Sequence, residues 1–275
     1  VDGYAHDGLT FRVRDAGDPA GAAVVLLHGF PQDGSAYDAV VPLLVGHGLR
    51  VLAPDQRGYS PGARPRGRAP YRLDRLVGDV VALLDAAGVD RAVVAGHDWG
   101  GAVAWDLAGR HPARVRGLVA LSTPHPAAMV AALTRSTQAL RSSYMAAFQV
   151  PALPERALLA HDGARLRRAL VASGLEPARA DRYVARMREP GALTAALAWY
   201  RALPLPGGGG GGPTRVPTTY LYGEDDPFFA PAGVVATARF VRAPFRSVRV
   251  PGGHWVPEGH PAAVAAAVVE LAGAR

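Results

Sequence analysis

The stretch Ala92-Val93-Val94-Ala95-Gly96-His97-Asp98-Trp99-Gly100-Gly101 constrains this chain more than any other. A short apolar run, the mark of a strand buried on both faces, passes straight into Gly-x-Asp-x-Gly, and a helical pattern follows at once. Glycines on either side permit a sharp, strained turn that lifts the middle residue above the sheet. The next backbone N–H, that of Trp99, then points at whatever the middle residue attacks, and the helix N-terminus behind it favours negative charge. The middle residue is Asp98, and this sets the chemistry. A serine here needs a base to take its proton, whereas a carboxylate, with an ordinary pKa of about 3.9, is already ionised at neutral pH. It can attack an sp3 carbon directly and form an alkyl ester. The pattern points away from esterases, lipases and peptidases and toward epoxides or alkyl halides. The plain alternative is a turn aspartate between a strand and a helix.

The flanking sequence repeats the alternation. Apolar runs from Val24 to Leu27, Arg50 to Ala53 and Val115 to Leu121 predict further strands. Helical spacing runs from Ser35 to Gly46, from Leu73 to Ala87 (Leu76, Val77, Val80, Leu83 and Leu84 on one face) and from Gly100 to Arg110. Strands separated by helices imply an α/β fold, a mostly parallel sheet with helices on both faces. From about Thr123 to Leu203 only helical segments follow, punctuated by Pro151, Pro154, Pro177 and Pro190. The strand rhythm resumes at Thr218 to Tyr222 and Ser247 to Val250, and Ala262 to Ala272 predicts a last helix. The expected organisation is a core of residues 1–122 and 213–275 interrupted by a helical domain, 123–212, that ends in a glycine-rich linker. The glycine run, Gly207 to Gly212, reads as a tolerant surface loop or, alternatively, a hinge for a lid.

Composition narrows the classes further. With 275 residues the chain can bury a sizeable core as one domain, or as one domain with an insertion. It has no cysteine, which removes disulfides, thiolate metal sites and cysteine nucleophiles. No apolar run reaches the roughly 18 residues of a membrane span, and the start lacks the layout of a signal peptide. The expectation is a cytoplasmic protein without a membrane partner. The net charge of +7 comes from arginines scattered along the chain, gathered only as Arg64, Arg66, Arg68 and Arg72 in a Pro/Gly-rich loop. That is not the basic stripe of a nucleic-acid binder, and no nucleic-acid partner is expected.

The partners that a nucleophilic Asp98 needs are present in order. Leu27-His28-Gly29-Phe30-Pro31 closes the first apolar strand, where the Phe30 amide supplies the second donor of an oxyanion hole beside Trp99. His28 suits support of that loop better than base chemistry. Tyr222-Gly223-Glu224-Asp225-Asp226-Pro227 follows a late strand and offers the acid, as Asp225 or Asp226. Gly252-Gly253-His254-Trp255 follows the last strand and offers the base, a group whose proton equilibrium lies near neutral pH. With the ester formed on Asp98, His254 is free to activate the water that hydrolyses it.

Gly96-His97-Asp98-Trp99-Gly100-Gly101 and His28-Gly29-Phe30-Pro31 closely resemble the elbow and oxyanion loop of the epoxide hydrolase branch of the α/β-hydrolase superfamily, with haloalkane dehalogenases as neighbours. The resemblance spans about Gly8 to Leu271 and implies the α/β-hydrolase fold with the helical block as its cap. It implies a cis peptide before Pro31 and, by the spacing Gly-x-x-Asp-Pro, Asp226 as the acid. Asp55-Gln56-Arg57-Gly58-Tyr59-Ser60 resembles the family's Asp-x-Arg-Gly loop but lacks the glycine that often follows the aromatic residue. Tyr144-Met145-Ala146-Ala147-Phe148 and Ala198-Trp199-Tyr200-Arg201 resemble the cap segments that carry the two tyrosines binding the epoxide oxygen, implying Tyr144 and Tyr200. The implied reaction is hydrolysis of a small apolar epoxide to a vicinal diol, with water and without cofactor or metal, by a monomer or homodimer. Phe30, Trp99, Phe148, Trp199 and Trp255 are expected to line the pocket. The alternatives are haloalkane dehalogenation with the same Asp98, Asp226 and His254, or a non-catalytic ligand-binding role on this scaffold.

Overall fold

A computed structural model of the chain describes residues 1–206 and 212–273. Gly207 to Gly211, and with them the expectation of a hinge or tolerant loop there, lie outside the described residues. The strands are β1 (Gly3–His6), β2 (Leu9–Ala16), β3 (Ala23–Leu27), β4 (Arg50–Pro54), β5 (Ala92–His97), β6 (Val115–Leu121), β7 (Thr218–Gly223) and β8 (Phe245–Val250). They form one sheet in the order β1-β2-β4-β3-β5-β6-β7-β8. The pairs β1/β2 and β2/β4 are antiparallel and the rest parallel. The central strands β3, β4 and β5 are buried almost throughout, which is why they read as unbroken apolar runs.

The hairpin β1/β2 is an addition to the expected sheet. Its signal was Asp7-Gly8, both with positive φ, followed by alternating Leu9, Phe11 and Val13. The expected helix from Ser35 to Gly46 is instead a 3-10 turn, Gly34–Tyr37, followed by a short helix α1 (Val41–Gly46) with a proline in its first turn.

The helices α2 (Leu73–Ala86) and α3 (Trp99–Arg110) pack on one face of the sheet, α1 and α12 (Pro261–Ala272) on the other. On α2, Leu76, Val77, Val80, Leu83 and Leu84 face the core, as their spacing predicts. Asp79 is buried with them because it holds Arg57, 1 % exposed, through Nε at 2.8 Å and Nη2 at 2.7 Å. Removing the acid leaves the buried guanidinium, among the described residues, with only the part-exposed Asp7 carboxylate 3.5 Å away. Asp79→Ala is therefore expected to lower stability by about 3–5 kcal/mol, read by urea unfolding.

Between β6 and β7 the described residues form six helices: α4 (Pro126–Leu133), α5 (Gln138–Arg141), α6 (Tyr144–Phe148), α7 (Leu153–Ala172), α8 (Pro177–Met187) and α9 (Ala192–Ala202). The backbone of α7 breaks at 160–163, where His161, Asp162 and Gly163 all take positive φ. This helical insert is bound to the sheet's loops by polar contacts as well as by packing. The Trp199 indole donates to the Arg57 carbonyl at 2.9 Å. Arg186 on α8 reaches Asp33 and Asp55 at 3.2 and 3.3 Å. After β7 come α10 (Pro231–Ala236) and, after β8, the short α11 (Val256–Gly259). Among the described residues no helix is long and apolar enough to cross a membrane.

Candidate active site

The parallel strands deliver their following loops to one edge of the sheet, the edge where α/β proteins bind ligands. Asp98 follows β5 at φ 50° and ψ −119°, a strained conformation for a residue with a side chain. The turn closes tightly enough that a Cβ on Gly96 would lie 2.2 Å from the Gly100 carbonyl oxygen. Gly29, in the loop after β3, passes Asp98 just as closely: a Cβ there would sit 2.4 Å from the Asp98 Cβ. That close pass brings the Phe30 amide to donate to Asp98 Oδ1 at 2.8 Å, and the Trp99 amide also bonds the carboxylate. The peptide Phe30–Pro31 is cis. The Thr123 hydroxyl ties the elbow to the end of β6 by donating to the Asp98 carbonyl at 2.9 Å.

His254, on the loop after β8, stands with Nε2 3.7 Å from Asp98 Oδ2 and Nδ1 2.8 Å from Asp226 Oδ2. Of the two adjacent acids it is thus Asp226 that meets the imidazole. Asp225 is exposed, and its amide donates to the Gly252 carbonyl at 3.0 Å. His28 is fully buried below the site: its Nδ1 lies 3.0 Å from the Gly29 carbonyl, and its Nε2 accepts from the Gln56 amide. It braces the loop, as expected from its position.

Burial pushes the Asp98 carboxyl above its ordinary range, against the pull of His254 and of the Phe30 and Trp99 amides. For His254, burial acts downward, but the charge and hydrogen bond of Asp226 and the charge of Asp98 outweigh it and raise the imidazole.

A cavity of about 330 Å³ opens over this group, lined by Phe30, Asp98, Tyr144, Phe148, Leu158, Leu166, Ala169, Leu170, Ser173, Tyr200, Phe228, His254 and Trp255. Tyr144 and Tyr200, from two helices far apart in sequence, enter it together, with ring centroids 6.1 Å apart. Burial first, and then the neighbouring Asp98 charge, raises the Tyr144 phenol; burial, Tyr144 and Asp98 raise Tyr200. Both hydroxyls therefore keep their protons at neutral pH.

Phe30, Phe148 and Trp255 stand on the cavity wall as expected. Trp199 and the Trp99 ring do not line it. Neighbours on a helix point about 100° apart, so with Tyr200 turned to the cavity, Trp199 turns away. Its buried indole N–H needs a partner and finds the Arg57 carbonyl. Trp199 packs edge-on against Trp99 and Tyr59, a wall behind the site. Conversely, Phe228 was missed. Its ring lies 4.7 Å from that of His254, and its position two residues after Asp226 was the available signal. Leu158, Leu166, Ala169 and Leu170 were missed because nothing local says which face of α7 turns inward.

A family model described as the alpha/beta hydrolase fold matches residues 22–261, and the chain belongs to that family. It is 37 % identical over 272 residues to the AB hydrolase superfamily protein YfhM of Bacillus subtilis, with 96 % of this chain and 94 % of that protein covered. Epoxide hydrolase A of Mycobacterium tuberculosis is 33 % identical over 309 residues, with 96 % and 94 % covered. Among solved structures, Epoxide Hydrolase A from Mycobacterium thermoresistibile superposes with a TM-score of 0.83 at 28 % identity, covering 98 % of this chain and 96 % of that one.

Proposed function

We propose that this chain is a hydrolase that opens an epoxide to a vicinal diol through an ester on Asp98. One observation carries the reading: within a single apolar cavity an amide-held carboxylate faces two neutral phenols, with a carboxylate-backed imidazole alongside. The relatives named epoxide hydrolase support it. Residues 123–212 act as the cap over a core of 1–122 and 213–275, with Tyr144 and Tyr200 as its contribution to the chemistry.

Asp98 Oδ2, the oxygen left free by the Phe30 amide, attacks a ring carbon. The C–O bond breaks, and the departing oxygen takes a proton from the tyrosine pair. The phenols suit this task because they stay protonated and can still donate to an alkoxide. In the ester, Asp98 no longer carries the charge that raised His254, so the imidazole becomes neutral more readily. His254, oriented by Asp226, takes a proton from water, and the hydroxide adds to the ester carbonyl carbon. The negative charge forms on Oδ1, against the Phe30 and Trp99 amides, a contribution of roughly 3–4 kcal/mol per donor. Collapse releases the diol, leaves the water's oxygen in the Asp98 carboxylate, and lets the imidazolium proton return to the tyrosinate.

The ring of Trp99, the residue a dehalogenase would use to hold halide, packs edge-on against the Tyr200 phenol with centroids 5.0 Å apart, outside the cavity lining. The test is turnover of aryl and terminal epoxides with diol analysis, beside halide release from chloro- and bromoalkanes. Diol without halide is expected. Tyr144→Phe and Tyr200→Phe should each slow ring opening, and the double variant by about 10²–10³-fold. A double variant as fast as the parent would sink the assignment of the pair.

A further inference from the structure

Behind the oxyanion loop lies a carboxylic acid that the mechanism does not use. Glu258, on α11 four residues after His254, is half-buried, with Oε2 of its carboxyl sealed from solvent. Its Oε1 accepts from Gln32 Nε2 at 2.7 Å and from the Tyr183 hydroxyl at 2.9 Å, whereas its Oε2 is buried with no partner. The chain continues toward the reaction centre. Gln32 Oε1 accepts from the Gly29 amide at 2.8 Å and lies 2.8 Å from His97 Nδ1. The Gly29 N–H can only donate, which sets the orientation of the Gln32 amide and aims its NH2 at Glu258. His97 Nε2 lies 2.9 Å from the carbonyl oxygen of His254. Gln32 thus spans from Glu258 to the residue before Phe30 and reaches the residue before Asp98; a neutral His97 has one N–H and donates to Gln32 or to the His254 carbonyl, not to both.

We propose that Glu258, in its protonated form, is a positioning residue of this site, holding the amide loop through Gln32 for hydrolysis of the Asp98 ester. The inference rests on the epoxide hydrolase reading above. An ionised carboxylate has about four acceptor sites to satisfy, and here, among the described residues, two side-chain donors reach one oxygen while no side chain donates to the other. A proton on Oε2 removes the charge, the larger part of the cost of placing that oxygen out of water. The cation that acts on the acid is Arg179 on α8, and it draws the carboxyl down less than burial raises it. Tyr37 and Tyr183 face the acid as neutral phenols, His97 is held neutral by burial and by His254, and Arg179 is engaged with Glu176 at 3.9 Å. His254 itself feels the Glu258 charge when it forms. Burial raises the Glu258 carboxyl to about 7, with Gln32 and Tyr183 opposing. Once ionised, it places a negative charge one side chain behind the loop where the oxyanion must form, which weakens the amides' stabilisation in a site of low dielectric.

The test uses Glu258→Gln, which keeps the acceptor for Gln32 and Tyr183 and cannot ionise, and Glu258→Ala, which removes it. The probe is styrene oxide in single turnover, with ester formation and breakdown followed separately against pH. The His254 limb is common to both proteins, so the effect is read in the ratio of breakdown rates, parent over Glu258→Gln, which is expected to fall roughly tenfold from pH 7 to 9. Glu258→Ala should slow breakdown more than formation, with rescue by Gln. A ratio that stays constant over that range, or equal slowing of both steps in Glu258→Ala, would overturn the proposal. Should Glu258→Ala fail to fold, the Gln profile decides alone. If no ester forms on Asp98 the enzymatic reading fails, and the buried proton is still read from melting temperature. A raised carboxyl costs the folded state progressively as pH rises from the unfolded value near 4.5 to about 7. The Tm advantage of Glu258→Gln should therefore grow by about 5 °C between pH 4.5 and 8; a constant difference means Glu258 holds no such proton.

Discussion

Asp98→Asn is expected to abolish diol formation, by roughly 10⁴-fold or more, and to leave the fold intact. The amide is close in shape, so the Phe30 N–H retains an acceptor where Oδ1 now stands at 2.8 Å. What is lost is the anionic oxygen, and without it no ester forms. Stability should not fall with activity. Burial raises the Asp98 carboxyl, so its ionised form costs the folded state free energy at every pH above the unfolded value. An uncharged residue removes that cost, and the variant should melt at or above the parent's temperature at pH 8. Thermal unfolding beside a diol assay checks both halves. An inactive variant that has also unfolded would say nothing of the nucleophile; a folded and active one would remove Asp98 from that role.

His254→Gln is expected to stop the cycle half-way. Ring opening needs Asp98 and the phenols, none of which this substitution removes, whereas ester hydrolysis needs a group that takes a proton from water. Glutamine cannot, and breakdown should slow by about 10²–10⁴-fold. Intact-protein mass after incubation with an aryl epoxide should rise by the whole mass of the epoxide, and the gain should map to the peptide containing Asp98. A gain equal to an alkyl group without its halogen, after incubation with a haloalkane, would move the assignment to dehalogenation. In the parent, breakdown should rise with pH as His254 loses its proton. Asp226, 2.8 Å from Nδ1, sets that rise above the ordinary imidazole value.

Much of the site was readable in one dimension because its chemistry is local. Asp98 stands between glycines that a strained strand-to-helix turn demands, and the Phe30 and Trp99 amides lie next to motifs of their own. The N-terminal hairpin was readable as well, through Asp7-Gly8 and the alternation after it, and was passed over. Trp199 shows where such reading stops. Its neighbour Tyr200 and the motif around both pointed to the cavity, yet the need of a buried indole N–H for the Arg57 carbonyl turned it away. Residue type and spacing do not carry that information, because the partner lies 142 positions distant.

The sequence by itself determined the class of fold, the succession along the chain of the strands whose loops carry the site, and the acidic residue at the tip of the elbow. These follow from periodicity, turn chemistry and the ionisation of an aspartate, all written within a few residues. Only the tertiary structure decided that Asp226 rather than Asp225 meets His254, which faces of α7 and α9 wall the cavity, and that the Glu258 carboxyl meets Gln32 behind the Gly29–Phe30 loop. Those outcomes depend on how helices pack across the sheet and on which buried polar atoms find partners. Both are settled between residues far apart in the chain, where the free energy of burial, and not local preference, makes the choice.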